Sequence, residues 1–348
     1  MKRYLIIAVL AIMACATSCN HKELCVDHRP HAHRYHINII ADYRYDWEEC
    51  IVEGATDWEY RWPDHFQLSY DELRPEKPDG LRVVNTNEAG NSNTHNIGPD
   101  GGVVVLYEGL NSILIYNNDT EYILFSRSGD ATTRATTRTR TRVGFTPSTL
   151  AHEGESTLSS PDMLFANYVE EYLPEKVIDP NPFEITLQPL VFKYKIRFEF
   201  SDGFEFVSRA EGSLSGMAAS VDLNTGETSE ESATILFDNA DVVYTSDAKD
   251  EGYIRAVVMS WGTPGFPHPN YPTRTDAKHA LTLDVRLRNN KVKTFEFDVT
   301  DQLLTQPHGG VIVVSGLEVT KNEGHEGSGG FEPEVDEWGP TEDIPLPL

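Results

Sequence analysis

Histidines are crowded near the start of this chain, where imidazole rings could bind zinc or copper. Five of its 12 histidines precede residue 37, namely His21, His28, His31, His33 and His36. Pro30 interrupts the cluster, and no cysteine or carboxylate pattern completes a tetrahedral ligand set in order. We therefore expect a solvated lead-in segment here, with no metal site and no cofactor.

Three of the five tryptophans lie close together in the sequence, at Trp47, Trp58 and Trp62, with Tyr60 between the last two. Aromatic rings of this kind can bind glycans by stacking on the apolar faces of sugar rings. They are also the side chains that dominate the cores of β-sandwiches. The core is the commoner explanation, and a glycan-binding platform is the alternative.

A run of threonine and arginine, ATTRATTRTRTR, occupies Ala131–Arg142 and contains no acid. Its cationic residues are Arg134, Arg138, Arg140 and Arg142, in a chain whose formal net charge is −26. Threonine favours strands, so one interpretation is a strand with a basic edge that discourages unwanted pairing. The other is an exposed substrate for an arginine-specific protease. The sequence leaves both open.

No motif typical of an enzyme occurs in the sequence. The GxSxG, HExxH and P-loop patterns and a paired-carboxylate motif are all missing, so we expect no catalytic residues and no enzymatic activity. Acidic residues outnumber lysine and arginine by 55 to 29. This excess argues against binding to nucleic acid or to an anionic membrane surface, because like charges repel.

Residues 1–18 have the pattern of a secretory signal peptide. Lys2 and Arg3 precede an apolar run, Leu5–Ala14, which is too short for a bilayer span of about 20 residues. Cys19 directly follows small residues, and this resembles the lipobox of bacterial lipoproteins. The resemblance implies that Cys19 becomes the first mature residue and carries lipid. Since residues 1–18 contain two bases and no acid, the net charge then becomes −28.

Two further cysteines, Cys25 and Cys50, remain after such processing. In an oxidising compartment they could form a disulfide worth about 3 kcal/mol if it is unstrained. Two unpaired buried thiols are the alternative.

The rest of the chain favours short strands over helices, because β-rich runs alternate with Gly, Asn, Asp and Pro. We predict strands at Tyr35–Asp46, Gly80–Asn85, Gly102–Tyr107, Ser112–Asn117, Glu121–Ser126, Glu184–Phe200, Glu205–Val221, Ala233–Tyr244, Gly252–Trp261, Ala280–Arg288, Thr294–Val299 and Val311–Val319. A helix is predicted at Ser156–Tyr172 and a long loop at Glu88–Gly102. In the strand from Phe192 to Phe200, aromatic and aliphatic residues alternate with charged ones, which predicts one buried and one wet face.

These elements predict an all-β chain of two sandwich domains, at 19–155 and 156–321. Residues 322–348 then form a Gly-rich linker and a short tail with β-forming character. We expect Val335, Trp338, Ile344 and Leu346 to be the tail side chains that enter pockets when it pairs as a strand.

Several segments together resemble a known group of proteins. They are Cys19 with the His-rich lead-in to Tyr45-Asp46-Trp47, the segment LIYNNDTE at 114–121, the segment LSGM at 214–217 leading to VDLNTG at 221–226, and the end from Gly327 to Leu346. In this order they resemble Bacteroides-type lipoproteins related to the fimbrillin-associated anchor and accessory subunits of type V pili.

This resemblance implies two tandem transthyretin-like or immunoglobulin-like β-sandwiches and display on the outer membrane through the lipid. It also implies a structural role as an anchor or accessory subunit of a fimbria-like polymer. The partners would be other subunits of that polymer, joined by β-strand addition, and the membrane would be contacted through the lipid alone. Related fimbrillins are cut after arginine early in their first domain, whereas the Arg/Thr run lies near the end of this one. A glycan-binding lipoprotein using Trp47, Trp58 and Trp62 is the alternative.

Overall fold

The structure is a computed structural model that describes residues 33–45, 75–127, 132–140, 155–265, 278–304, 306 and 309–325. Strands make up 62% of these residues and helices 6%, which confirms the all-β prediction. Among them, the helices are all too short to cross a membrane. Three groups of strands organise the chain: a first unit, a second unit and a small sheet that joins them.

The first unit is a sheet with the order β10-β1-β11-β9-β5-β2-β3, in which β4 also pairs with β1. Strand β11 forms its corner, because residues 181–187 pair with β1 and residues 188–189 pair with β9. The strands are β1 (Arg34–Tyr43), β2 (Leu81–Asn87), β3 (Ser92–Ile97), β4 (Gly101–Val105), β5 (Asn111–Asn117), β9 (Phe165–Tyr172), β10 (Lys176–Val177) and β11 (Asn181–Pro189).

The second unit has the order β18-β17-β13-β15-β16-β12-β19, and β8 pairs with β15. Its strands are β8 (Ser156–Ser159), β12 (Phe192–Asp202), β13 (Val207–Ala218), β15 (Ser232–Tyr244), β16 (Gly252–Ser260), β17 (Ala280–Leu287), β18 (Val292–Asp298) and β19 (Gly310–Glu318). Two short helices, α1 (Thr300–Leu304) and α2 (Lys321–His325), flank β19. Gly203 turns the chain between β12 and β13 with φ of 76°, and a Cβ there would lie 1.9 Å from the Val319 carbonyl oxygen.

The small sheet has the order β14-β7-β6 and is called the bridging sheet below. It combines β6 (Ile123–Arg127) and β7 (Thr133–Thr137) from the first half of the chain with β14 (Ser220–Asp222) from the second half.

Each group of strands has its own hydrophobic core. The core of the first unit includes Ile37, Val83 and Ile115, and that of the second includes Tyr194, Phe198 and Leu283. A third cluster, called the junction core below, combines residues from both halves of the chain. Its buried members are Leu114, Tyr116, Ile123, Ala135, Leu164, Ala166, Leu190, Val191, Ala218, Val221, Leu223 and Trp261.

Every strand predicted from the sequence overlaps a strand of the structure, but two other predictions are wrong. The predicted helix at Ser156–Tyr172 consists of β8 and β9, and the predicted loop at Glu88–Gly102 contains β3. The predicted run from Glu184 to Phe200 is two strands, β11 and β12. After the predicted boundary near Glu155, β8 pairs within the second unit, whereas β9, β10 and β11 pair within the first.

The predicted alternation in β12 is confirmed on its apolar side, where Phe192, Tyr194, Ile196 and Phe198 are buried. The opposite face of β12 is less exposed to solvent than predicted. Lys195 is only 7% exposed and lies on the same face as its directly opposed neighbours, Val257 of β16 and Val311 of β19.

Candidate functional site

The two halves of the chain are joined by backbone pairing through the bridging sheet. Strand β7 pairs with β6 on one side and with β14 on the other. The amide of Thr133 donates to the Asn224 side chain (3.0 Å), and the amide of Leu223 donates to the Thr133 carbonyl (2.8 Å). Because this pairing crosses between the halves, the units are connected by more than the covalent chain.

The junction core lies beneath this sheet and contains Trp261, which is 1% exposed. Tyr116 of the first unit and Phe125 of the bridging sheet place their ring centroids 4.8 Å apart. Burial of apolar side chains from both halves in one cluster stabilises the junction, since each large residue contributes about 1.5–3 kcal/mol.

The Arg/Thr run is part of this junction. Arg134 is exposed in β7, whose backbone is paired on both sides. Arg138 is exposed just after β7, and its carbonyl accepts from the Ser159 amide (3.2 Å). Arg140 is ion-paired with Asp238, while Arg142 lies outside the described residues. The run is therefore a strand with two exposed arginines, followed by a segment held against β8. Whether a protease cuts it stays a prediction.

Strand β15 pairs with two different strands on the same edge, and a gap separates the two pairings. Its residues 233–236 pair with β8, and its residues 241–244 pair with β16. On that edge, residues 237–240 have no strand partner among the described residues. Residues 256–260 of β16 pair with β12 and with no other described strand. We call the gap between these two edges the β15–β16 fork.

A cleft of about 560 Å³ opens at this fork, and we call it the junction cleft. It is lined by Tyr122, Arg140, Ser159, Ser160, Leu236, Phe237, Asp238 and Val257. Tyr122 and Val257 are 43% and 42% exposed, and Leu124 is also exposed on the nearby β6. The cleft thus combines exposed apolar side chains with two strand edges, and such a surface can accept an extended segment of chain.

Cations lie on the outer face beside the cleft. The directly opposed pair Lys195–Val257 places a lysine next to the fork. Burial, together with the neighbouring Lys193 and Arg255, lowers the pKa of Lys195 to about 8. Arg255 bonds to Asp241 with an Nε–Oδ2 distance of 3.1 Å. Since Lys195 is mainly charged at neutral pH, this face favours an anionic partner.

Helix α2 fixes the point where the tail begins. Lys293 Nζ donates to both Glu323 carboxylate oxygens at 2.7 Å, and this bond lowers the pKa of Glu323 to about 2. Asn289 Nδ2 donates to the Glu323 carbonyl (2.7 Å), and the rings of Phe206 and His325 lie 4.9 Å apart. The tail therefore starts from a well-held helix at one end of the second unit.

The other predicted site residues are placed as follows. His33 is exposed and His36 lies in β1, and no group of three or more metal-ligating side chains occurs in the described part of the chain. The remaining residues lie outside the described ranges, so their roles stay predictions: Cys19, Cys25, Cys50, Trp47, Trp58, Trp62, Val335, Trp338, Ile344 and Leu346. Sequence reasoning missed Tyr122, Lys195, Asp238 and Val257, since no local pattern marks the place where β15 changes partner.

Together the fold and the junction define an all-β protein of two sandwich units joined by a shared sheet. The chain belongs to the family described as "Domain of unknown function (DUF5119)", which matches residues 65–238. A relative from Bacteroides ovatus is named "Putative fimbrium anchoring subunit Fim4B". It is 25% identical over 307 residues, which are 81% of this chain and 89% of the relative.

A solved structure from the same organism, described as a "putative adhesin", is similar with a TM-score of 0.51 and 20% identity. The similarity covers 87% of this chain and 99% of that one, and it supports the fold. The resemblance to fimbrium-associated proteins that the sequence indicated is confirmed by these findings.

Proposed function

We propose that this protein is a structural subunit, an anchor or accessory component, of a fimbria-like polymer at the cell surface. The observation that carries the proposal is the junction, where a bridging sheet and a buried core join the two halves of the chain. A pulling force on one half would therefore pass to the other through paired strands as well as through the covalent chain. The likeness to a protein named as a fimbrium anchoring subunit supports the same role.

The proposed chemistry is β-strand addition to other polymer subunits. Backbone hydrogen bonds along an added strand give affinity, and alternate side chains in pockets give specificity. The tail beyond Phe331 carries Val335, Trp338, Ile344 and Leu346 as candidate pocket residues. Open strand edges in the second unit are candidate acceptors.

An anchor role has a direct cellular test. In cells that lack this protein, polymer subunits should still be made but should collect in the medium as released polymer. The measurement is the ratio of cell-bound to released polymer by immunoblot, with cells expressing the intact protein as the control. Polymer that stays on the cells in normal amounts would contradict an anchoring role.

Attachment through lipid on Cys19 is the second part of the proposal, and it rests on the small residues and the short apolar run before this cysteine. We expect Cys19→Ser to move the protein from the membrane to the soluble fraction, because one covalent change removes the acyl chains. Fractionation followed by immunoblotting measures this, with Cys25→Ser as the matched control. Detergent-sensitive membrane association that persists in Cys19→Ser would show that the anchor lies elsewhere.

Processing at the Arg/Thr run can be tested on the folded protein. Arg134 lies in a strand paired on both sides, so its peptide bond cannot extend into a protease without breaking both sets of pairs. We therefore expect limited trypsin digestion to spare Arg134, and any cleavage within the run to occur at Arg138, Arg140 or Arg142. Mass spectrometry of the fragments locates the cut. Rapid cleavage after Arg134 in otherwise intact protein would show that β7 is not held as described.

A further inference from the structure

We propose that, before assembly, the β15–β16 fork holds the chain's own tail as an added strand. The proposal deepens the strand-addition function above by naming the acceptor and its occupant in the free subunit. Its test uses the isolated protein, so it can fail while the assembly role stands.

Backbone N–H and C=O groups of β16 point away from β12 and into the fork. The amide of Met259 donates to Ser160 Oγ (3.4 Å), away from β12. In an antiparallel strand, residues two apart present their backbone groups on the same edge. Val257 therefore also directs its N–H and C=O into the fork, where the described residues provide no strand partner.

The two sides of the fork differ in chemistry. Towards the interior lie Phe237, Ala256 and Val258, all in the core of the second unit. On the opposite face lie the ion pair Arg140–Asp238 and Lys195, which is only 7% exposed and forms no ion pair among the described residues. A strand that enters the fork should thus be apolar on one side and acidic on the other.

The tail has this pattern. In the segment FEPEVD at 331–336, Phe331, Pro333 and Val335 alternate with Glu332, Glu334 and Asp336. Residues 326–348 contain seven acids and no lysine or arginine. In an extended strand the apolar side chains would face the core and the acids would face Lys195 and Arg140. Pro333 lacks an N–H, so full pairing is possible along one edge only, and the edge of Val257 supplies it.

The tail is also long enough to reach the fork from the end of helix α2. Helix α2 ends at His325, packed against Phe206, and its Lys321 lines a cleft with Gly252 of β16, where β15 and β16 are still paired. From there the fork lies about six residues along β16, roughly 20 Å at 3.3 Å per residue. Residues 326–330 span up to about 17 Å when extended, and the next residues continue into the fork. The chain can therefore supply the added strand itself, without a second copy.

Hydrogen exchange measured by mass spectrometry tests this directly. The amide of Val257 should exchange about tenfold more slowly in the full chain than in a chain ending at His325, the effect of about one added backbone hydrogen bond. The full-length variant Val335→Asp should exchange like the truncated chain. The edge strand β18, where Val292 is 55% exposed, is the internal control and should be unchanged.

Three outcomes would overturn the proposal. Equal exchange at β16 with and without the tail would mean that the fork is empty. Protection that rises with protein concentration would mean that a second copy supplies the strand. Faster exchange throughout β13 and β17 after truncation would mean that the tail is an integral core strand rather than a docked one.

Discussion

Replacing Trp261 by alanine should lower the free energy of unfolding by about 3–5 kcal/mol, the largest stability effect expected of any single substitution in the junction core. Trp261 is 1% exposed and packs with apolar residues from both halves of the chain. Its removal leaves a cavity that rigid strands cannot fill, and it also weakens the connection between the units. Urea unfolding followed by circular dichroism measures the change.

Two further variants control this experiment. Trp261→Phe should cost much less, because it keeps a ring in place and removes an indole N–H that has no hydrogen-bond partner among the described residues. Val257→Ala, at a side chain that is 42% exposed, should change stability by no more than about 0.5 kcal/mol. If Trp261→Ala were no more destabilising than Val257→Ala, the junction core would not be what joins the two units.

Deleting residues 331–348 should leave both units folded and abolish co-assembly with other subunits. Burying an aromatic such as Trp338 in a partner's groove contributes roughly 2–3 kcal/mol, and backbone pairing adds register. Ordering the backbone costs about 1–2 kcal/mol per residue. Without the contacts of residues 331–348, nothing offsets this cost and the partner is no longer bound. Co-purification from cells measures assembly, and circular dichroism checks the fold.

A pair of point variants separates the side chains from mere tail length. Trp338→Asp should reduce co-purification by about 30-fold or more, the equivalent of at least 2 kcal/mol. Asp343→Asn, which keeps the tail intact and changes only one acid, should have little effect. Normal co-assembly of the truncated chain would make the tail a passive terminus, and outright unfolding would make it a core strand.

The sequence predicts most strands correctly because the apolar residues that define them alternate. In β12, Phe192, Tyr194, Ile196 and Phe198 all face one core, so period-2 patterning is clear. The sequence of β9 predicts a helix rather than a strand because β9 lies between two cores. Phe165 enters the core of the first unit and its neighbour Ala166 enters the junction core, which removes the alternation.

The sequence of β3 predicts a loop for a different reason. Its sequence, SNTHNI, is almost entirely polar, and β2 is its only strand partner in the part of the chain that the structure describes. Such a strand is defined by its neighbour rather than by its own residues. The fork cannot be predicted from the sequence for a similar reason. Strand β15 is a continuous run of 13 residues, and the change from β8 to β16 as its neighbour depends on tertiary packing.

Affinity purification of the intact protein from its native membrane tests the proposed structural role most directly. The bound fraction should contain subunits of a surface polymer, identified by mass spectrometry, and these should be lost when residues 331–348 are deleted. A chain carrying Asp343→Asn should retain them. If the intact protein purifies without any such subunit, or retains the same partners without its tail, assembly by tail-mediated strand addition is contradicted.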